Sequence, residues 1–127
     1  MLIYLAGPYR AKTFWRVLLN ILRAWIAARK LWLKGFFVFC PHLNSAFMGG
    51  KDTIEKLFQS GDLQILSFCD ALLRLPGNSQ GADIEVEQAR EWCIPVYFSV
   101  ARLIADHRVA IEDKRLQDTQ IISEGNL

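Results

Sequence analysis

The stretch Ala71-Leu72-Leu73-Arg74-Leu75-Pro76-Gly77-Asn78-Ser79-Gln80-Gly81-Ala82-Asp83-Ile84-Glu85 holds one strand–turn–helix unit. Ala71–Leu75 reads as a strand, Pro76-Gly77-Asn78-Ser79 closes it, and residues 81–92 read as a helix. The same unit recurs outward from there. Leu2–Ala6 is an apolar strand ended by Gly7-Pro8, and residues 12–34 form a long helix. In that helix Phe14, Val17, Leu18, Ile21, Trp25, Leu31 and Leu33 recur near helical spacing, Arg16, Arg23, Arg29 and Lys30 mark wetter positions, and Gly35 stops it. Phe36–Cys40 is a second strand, ended by Pro41, and His42–Lys51 is a loop. Residues 52–68 are helical, capped by Asp52 or Thr53 and interrupted at Gly61. Pro95–Val100 is a fourth strand. Residues 101–118 are a final helix with apolar Leu103, Ile104 and Ile111, and 119–127 are a frayed tail.

Strands alternating with helices imply an α/β fold, a Rossmann-like three-layer sandwich with a mostly parallel sheet of four to five strands. The near-continuous apolar strands fit burial on both faces. The 127 residues make a single domain, 1–127, with no linker or repeat. The chain is 52% hydrophobic and 22% charged, which excludes a disordered segment. Its net charge of +2 hides a division. Residues 1–51 hold eight Lys/Arg and no acid; residues 52–127 hold seven Lys/Arg and all thirteen Asp/Glu, so the two parts carry +8 and −6.

Several classes are disfavoured. The apolar run 14–33 is broken by Arg16, Asn20, Arg23, Arg29 and Lys30, so it does not read as a membrane span. The chain begins apolar with no basic segment ahead, unlike a signal peptide, and a cytoplasmic protein is expected. Cys40, Cys69 and Cys93 show no CxxC pairing, and His42 and His107 have no ligand-like spacing, so neither a disulfide framework nor a metal is expected. GxGxxG and GxxxxGK[ST] are absent, and no cofactor is expected. His107 reads as a surface histidine. The basic helix 12–34, with Trp15, Trp25 and Trp32, fits a core helix with a solvated face better than a membrane or RNA adaptor.

Ligands of such sheets bind beyond the carboxyl ends of the strands, where strand order reverses. For a flavodoxin-like order 2-1-3-4 that point lies between Gly7-Pro8-Tyr9-Arg10 and Pro76–Gly81. Ser79-Gln80-Gly81 leads directly into a helix, so its first amides and the Ser79 hydroxyl are available donors for a phosphate or other anion. Glu85, Ala89 and Trp92 share one helix face, which turns Glu85 inward; Glu87 and Glu91 face solvent, with Arg90 near Glu87. Glu85 then either does chemistry or merely complements the helix N-terminus. Asp70, at the start of the third strand, is either a site residue or a helix-terminal acid, and His42 and Asn44 follow the second strand at the sheet edge that holds the site.

Four stretches together resemble the nucleoside 2-deoxyribosyltransferase superfamily, above all its small deoxyribosyltransferase-like branch. They are Ile3-Tyr4-Leu5-Ala6-Gly7-Pro8-Tyr9-Arg10; Asn20-Ile21 through Gly35 to Cys40-Pro41-His42-Leu43-Asn44-Ser45; Gly61-Asp62-Leu63 through Cys69-Asp70-Ala71; and Ser79-Gln80-Gly81-Ala82 with Glu85, Ala89 and Pro95-Val96. The resemblance implies a flavodoxin-like fold and cleavage of the N-glycosidic bond between a sugar and a nucleobase. It implies Glu85 as nucleophile, Tyr4 beside it, and Asp70 in the site as proton donor to the departing base. Two positions depart from the transferase pattern: Ser79-Gln80-Gly81 stands where Asp-x-Gly is usual, and Glu87 stands where a second Gly is usual. The serine form is similar to the nucleoside 5′-monophosphate N-glycosidases, which also share the spacing of Tyr4, Gly7 and Arg10. Ser79 and Arg10 would then hold a 5′-phosphate, with Gly7, Pro8, His42, Asn44 and Gly81 completing a small-molecule nucleoside or nucleotide site. The resemblance further implies a homo-oligomer. Rival readings are a non-catalytic nucleotide sensor of the same fold and, more remotely, the adaptor built on helix 12–34.

Overall fold

The computed structural model describes residues 1–48 and 52–125. Four strands, β1 (Leu2–Ala6), β2 (Phe37–Phe39), β3 (Ala71–Arg74) and β4 (Val96–Tyr97), pair in the order β2-β1-β3-β4, all parallel. Helices α1 (Phe14–Leu33), α3 (Asp52–Leu66) and α4 (Gln80–Glu91) lie in the crossovers, and together with α5 (Val100–Asp106), which follows β4, they cover both faces. The expected three-layer α/β fold is therefore present, with four strands.

Side chains alternate across the two central strands. Ile3, Leu5, Ala71 and Leu73 pack with Ala24, Ala27, Ala28 and Leu31 of α1 and Leu103 of α5. Tyr4, Ala6 and Leu72 pack on the other face with Leu66 of α3 and with Ala82, Val86 and Ala89 of α4. Small residues on the inward faces of α1 and α4 let both helices lie close to the sheet. Glu87 does not interfere with that approach, because it points to solvent and pairs with Arg90 at 2.9 Å.

Local chemistry sets the helix ends. The Thr13 side chain accepts from the Arg16 amide and starts α1. Gly35, at φ 92°, ends it: its amide donates to Trp32 and that of Phe36 to Leu31. Several expectations needed correction. The segment after Cys40 is not all loop, because Pro41 sits at the first position of a one-turn helix, α2 (Pro41–Ser45), and the Ser45 hydroxyl donates to the Pro41 carbonyl. Gly61 does not interrupt α3. The last helix is two helices, since α5 ends at His107 and α6 (Arg108–Gly125) continues through the stretch expected to fray. His107 is half-buried, not a surface residue, and its ring lies 3.1 Å from the Tyr97 hydroxyl. Thr53 lies inside α3, after Asp52, and so does not cap it; the loop end at 49–51, the Asp52 and Ile111 side chains and residues 126–127 lie outside the described parts.

The strand tips at the switch point touch closely. A Cβ on Gly7 would lie 2.9 Å from Leu75 Cβ, and one on Gly77 would lie 2.8 Å from Pro8 Cγ, with φ at 114°. Only glycine satisfies both constraints at 77. Gly77→Ala is expected to lower stability by about 1–3 kcal/mol, read as a fall in the urea midpoint without a change in slope. Gly81→Ala, in α4 where an added Cβ meets nothing within 4 Å, is expected not to destabilise and to gain up to about 1 kcal/mol.

Candidate active site

A cavity of about 790 Å³ opens at the carboxyl edge of the sheet, between the tips of β1 and β2, the inner side of α3 and the start of α4. At its base the Tyr4 hydroxyl, rising from the fully buried centre of β1, donates to Glu85 Oε1 at 2.8 Å. Burial pushes the Glu85 carboxyl from its ordinary 4.5 up to about 7; the Tyr4 bond and Arg74 pull against that, and the charge of Asp62 adds to it. Burial and the neighbouring Glu85 charge push Tyr4 upward, so it keeps its proton and remains a donor. Asp62, on α3, also lines the cavity, and burial raises it to about 6.

The start of α4 forms a second wall. Ser79 is the helix cap: its hydroxyl oxygen accepts from the Ala82 amide at 3.1 Å, and its carbonyl accepts from Asp83. The oxygen is thus engaged, contrary to the expectation of a wholly free hydroxyl, while its own hydrogen can still be donated. Gln80 and Gly81 contribute the first helix amides beside the cavity. Arg74, only 8% exposed, holds this turn in place. Its guanidinium donates to the carbonyls of Leu75 and Gly77 (2.9 Å for the latter) and to Asp83 at 3.0 Å.

The structure brings Tyr4, Glu85, Gly7, Arg10, His42, Ser79 and Gly81 to this one region. Arg10 stands at the rim in an ion pair with Glu55 across the cavity, so a phosphate would have to compete with a carboxylate for it. Pro8 is not part of the lining and instead supports Gly77. Asn44 is exposed on α2 and lies outside the lining, whereas Ser45 belongs to it. Asp70 is the main correction. It lies at the amino end of β3, exposed, where its carboxylate accepts from the Leu2 amide at 2.6 Å and its own amide donates to Leu2. A strand of four residues puts it roughly 13 Å from the edge that carries the cavity. The acid that faces Glu85 is Asp62, which the sequence reading left without a role. It precedes buried Leu66 by one helical turn, so the inward face of α3 marks it.

No protein-family model matches the chain, and no curated protein matches it significantly. Among solved structures, the 2-deoxyribosyltransferase of Bacillus psychrosaccharolyticus superposes with a TM-score of 0.57 at 22% identity, over 76% of this chain and 69% of that one. A conserved protein of Enterococcus faecalis V583 gives 0.56 at 17% identity, over 75% of this chain; the match spans 60% of that protein's length. The likeness is one of architecture: this chain has a deoxyribosyltransferase-like fold.

The buried Glu85 carboxyl has a consequence for stability. Its folded value lies above its unfolded one, so its contribution is full below about 4.5 and is lost as pH rises through about 7. Glu85→Gln, which keeps an acceptor for Tyr4, is therefore expected to stabilise the protein by about 2 kcal/mol at pH 8, allowing for partial exposure. Little gain is expected at pH 4.5. Paired denaturant titrations at the two pH values measure this; equal gains at both would refute the assignment.

Proposed function

We propose that the cavity binds a nucleoside or nucleoside 5′-monophosphate and that Glu85 attacks the anomeric carbon, cleaving the N-glycosidic bond. The observation that carries this reading is the Tyr4–Glu85 hydrogen bond at the cavity base, with Asp62 beside it. Breaking such a bond develops positive charge on the sugar, and a carboxylate beneath the ring stabilises it or bonds to it. The Tyr4 hydroxyl fixes one Glu85 oxygen and leaves the other to react. Asp62 in its protonated form gives its hydrogen to the leaving base, the role Asp70 is too distant to fill. A phosphate would meet the Gln80 and Gly81 amides and the Ser79 hydroxyl hydrogen, with Arg10 at the rim. Water as acceptor gives free sugar, and a second base gives transfer.

This reading also takes the protein as a cytoplasmic homo-oligomer. Trp15, Leu19, Leu22, Ile26 and Leu33 lie exposed along α1 and provide apolar area for subunit contact. Among the described residues, no helix is long and apolar enough to cross a membrane.

Incubation with a panel of nucleosides and their monophosphates, followed by chromatography for free base, tests the chemistry. Glu85→Gln is expected to abolish release, and Asp62→Asn to slow it by about 10²–10⁴-fold, while Asp70→Asn leaves kcat unchanged. Binding without release by the wild type would instead indicate a sensor. Glu85 must be ionised, so activity falls below about pH 7; Asp62 must be protonated, so it falls above about pH 6. The rate is expected to peak between these limits, with both limbs belonging to the coupled pair. A profile flat from pH 5 to 8 contradicts the mechanism.

A further inference from the structure

The exposed apolar side chains of α1 follow a period. Trp15, Leu19, Leu22, Ile26 and Leu33 all face solvent. Their spacing is that of a coiled-coil seam: Leu19, Ile26 and Leu33 fall on heptad position a, and Trp15 and Leu22 on position d. Arg29 takes the remaining d position. The opposite face of the helix, with Ala24, Ala27, Ala28 and Leu31, is buried against the sheet, so the seam points outward along the length of α1.

The two borders of the seam differ. On one side the e positions are Arg16, Arg23 and Lys30, all exposed and all basic. On the other the g positions are Leu18, Trp25 and Trp32, all apolar. α1 contains no acid, and among the described residues none of its three border bases makes an ion pair. Trp32 packs edge-on against Phe37, centroids 5.5 Å apart, while the half-exposed Trp25 has no ring partner among the described residues.

Such a seam meets a second copy of itself in one of two ways. Antiparallel helices set e against e, which brings Arg16 to Lys30 of the second copy and Arg23 to Arg23, cation against cation. Parallel helices set g against e. Each Trp25 then receives Lys30 of the other copy on its ring, and each Leu18 receives the apolar stem of Arg23. The one like-charged pair left is Arg29, whose long side chain extends past the seam into water. The central layers, Leu22 at d and Ile26 at a, are the combination that favours two strands. A twofold axis along the helices closes this pair without leaving a free seam.

We propose that α1 is a self-recognition surface on which two copies of this chain pair in parallel through Trp15, Leu19, Leu22, Ile26 and Leu33, with Lys30 of each on Trp25 of the other. This rests on the homo-oligomer reading above and adds the surface and the orientation. The bases line one border only, beside the narrow stripe of helix pairing, and this arrangement suits a matching helix better than a lipid surface.

Sedimentation of the full chain over a range of concentrations tests the surface. A dimer is expected for the wild type, and a monomer for Leu22→Lys combined with Ile26→Lys, with circular dichroism verifying that the fold is kept. Single cysteines read the orientation, in a Cys93→Ser background that removes the exposed native thiol. Parallel pairing is expected to join Leu19→Cys, Leu22→Cys and Ile26→Cys each to its own copy on oxidation, whereas an antiparallel pair meets itself at one position at most. Self-linking at fewer than two positions overturns the proposal. Lys30→Glu gives opposite signs for the two arrangements. It is expected to weaken the dimer by about tenfold through loss of the Trp25 contact made twice; strengthening, as an antiparallel contact with Arg16 would give, overturns it. A dimer that survives the double lysine variant also overturns it, while leaving the homo-oligomer reading in place. A wild type that stays monomeric, or that sediments with phosphatidylserine vesicles in place of pairing, defeats both and leaves the chemistry of Glu85 to its own assay.

Discussion

The hydrogen bond from Tyr4 to Glu85 ties the centre of the sheet to the start of α4, and the rest of the site is arranged around it. Tyr4 sits mid-strand in β1, fully buried, with neighbours on both sides: Phe39 of β2 and Leu72 of β3 in register. Its ring also lies 5.7 Å from that of Phe39. A side chain so confined delivers its hydroxyl to one place. Glu85 arrives there only because the β3–α4 turn is held from beneath by Arg74 and because Ala82, Val86 and Ala89 let the helix settle onto the sheet. Pre-organisation of this kind is what the proposed attack by Glu85 would require of its carboxylate.

The division of charge along the chain has a structural counterpart at the cavity. The tips of β1 and β2, from the acid-free part, bring Arg10 and His42; α3 and α4, from the acidic part, bring Glu55, Asp62 and Glu85. Arg10 and Glu55 close the gap between the two as an ion pair. Such a pair at an exposed rim contributes little to stability. Under the proposed function its effect would be on the ligand, since an entering anion and Glu55 would compete for the same guanidinium. The positive charge of α1 takes no part in this and stays on the outer surface of the helix.

The sequence made the scaffold legible and the fine placement of acids less so. The apolar runs, Gly35 and the turn at Pro76-Gly77 specify alternating strands and helices because those signals are local. The inward position of Glu85 follows from helical spacing, and its pairing with Tyr4 came from the resemblance. Asp70 was misplaced for a physical reason. Its neighbourhood in sequence, at a strand start, says nothing about distance from the other end of the sheet, and its role is to fix β1 through the Leu2 amide. Asp62 was hidden because one acid on a mostly polar helix carries no mark until the inward face is known. Arg74 was hidden for the opposite reason, as a charge inside an apolar strand whose partners are backbone carbonyls of a turn that forms only in the fold. The break at His107 escaped because the apolar pattern runs on across it.

Asp62 and Glu85 also show what the site costs the fold. Two carboxyls, each raised mainly by burial, face one cavity, and the charge of Asp62 raises Glu85 further. Near neutral pH the empty protein therefore holds a fraction of these groups in a form that burial disfavours. A purely structural pocket would be more stable with amides at both positions. In the proposed reaction the balance would change: as the glycosidic bond stretches, positive charge would grow beside Glu85, and the base would take up the hydrogen held by Asp62. On that proposal the environment that is unfavourable for the resting carboxylates would be better matched to the transition state than to the cavity at rest, which is the condition for a binding site to become a catalytic one.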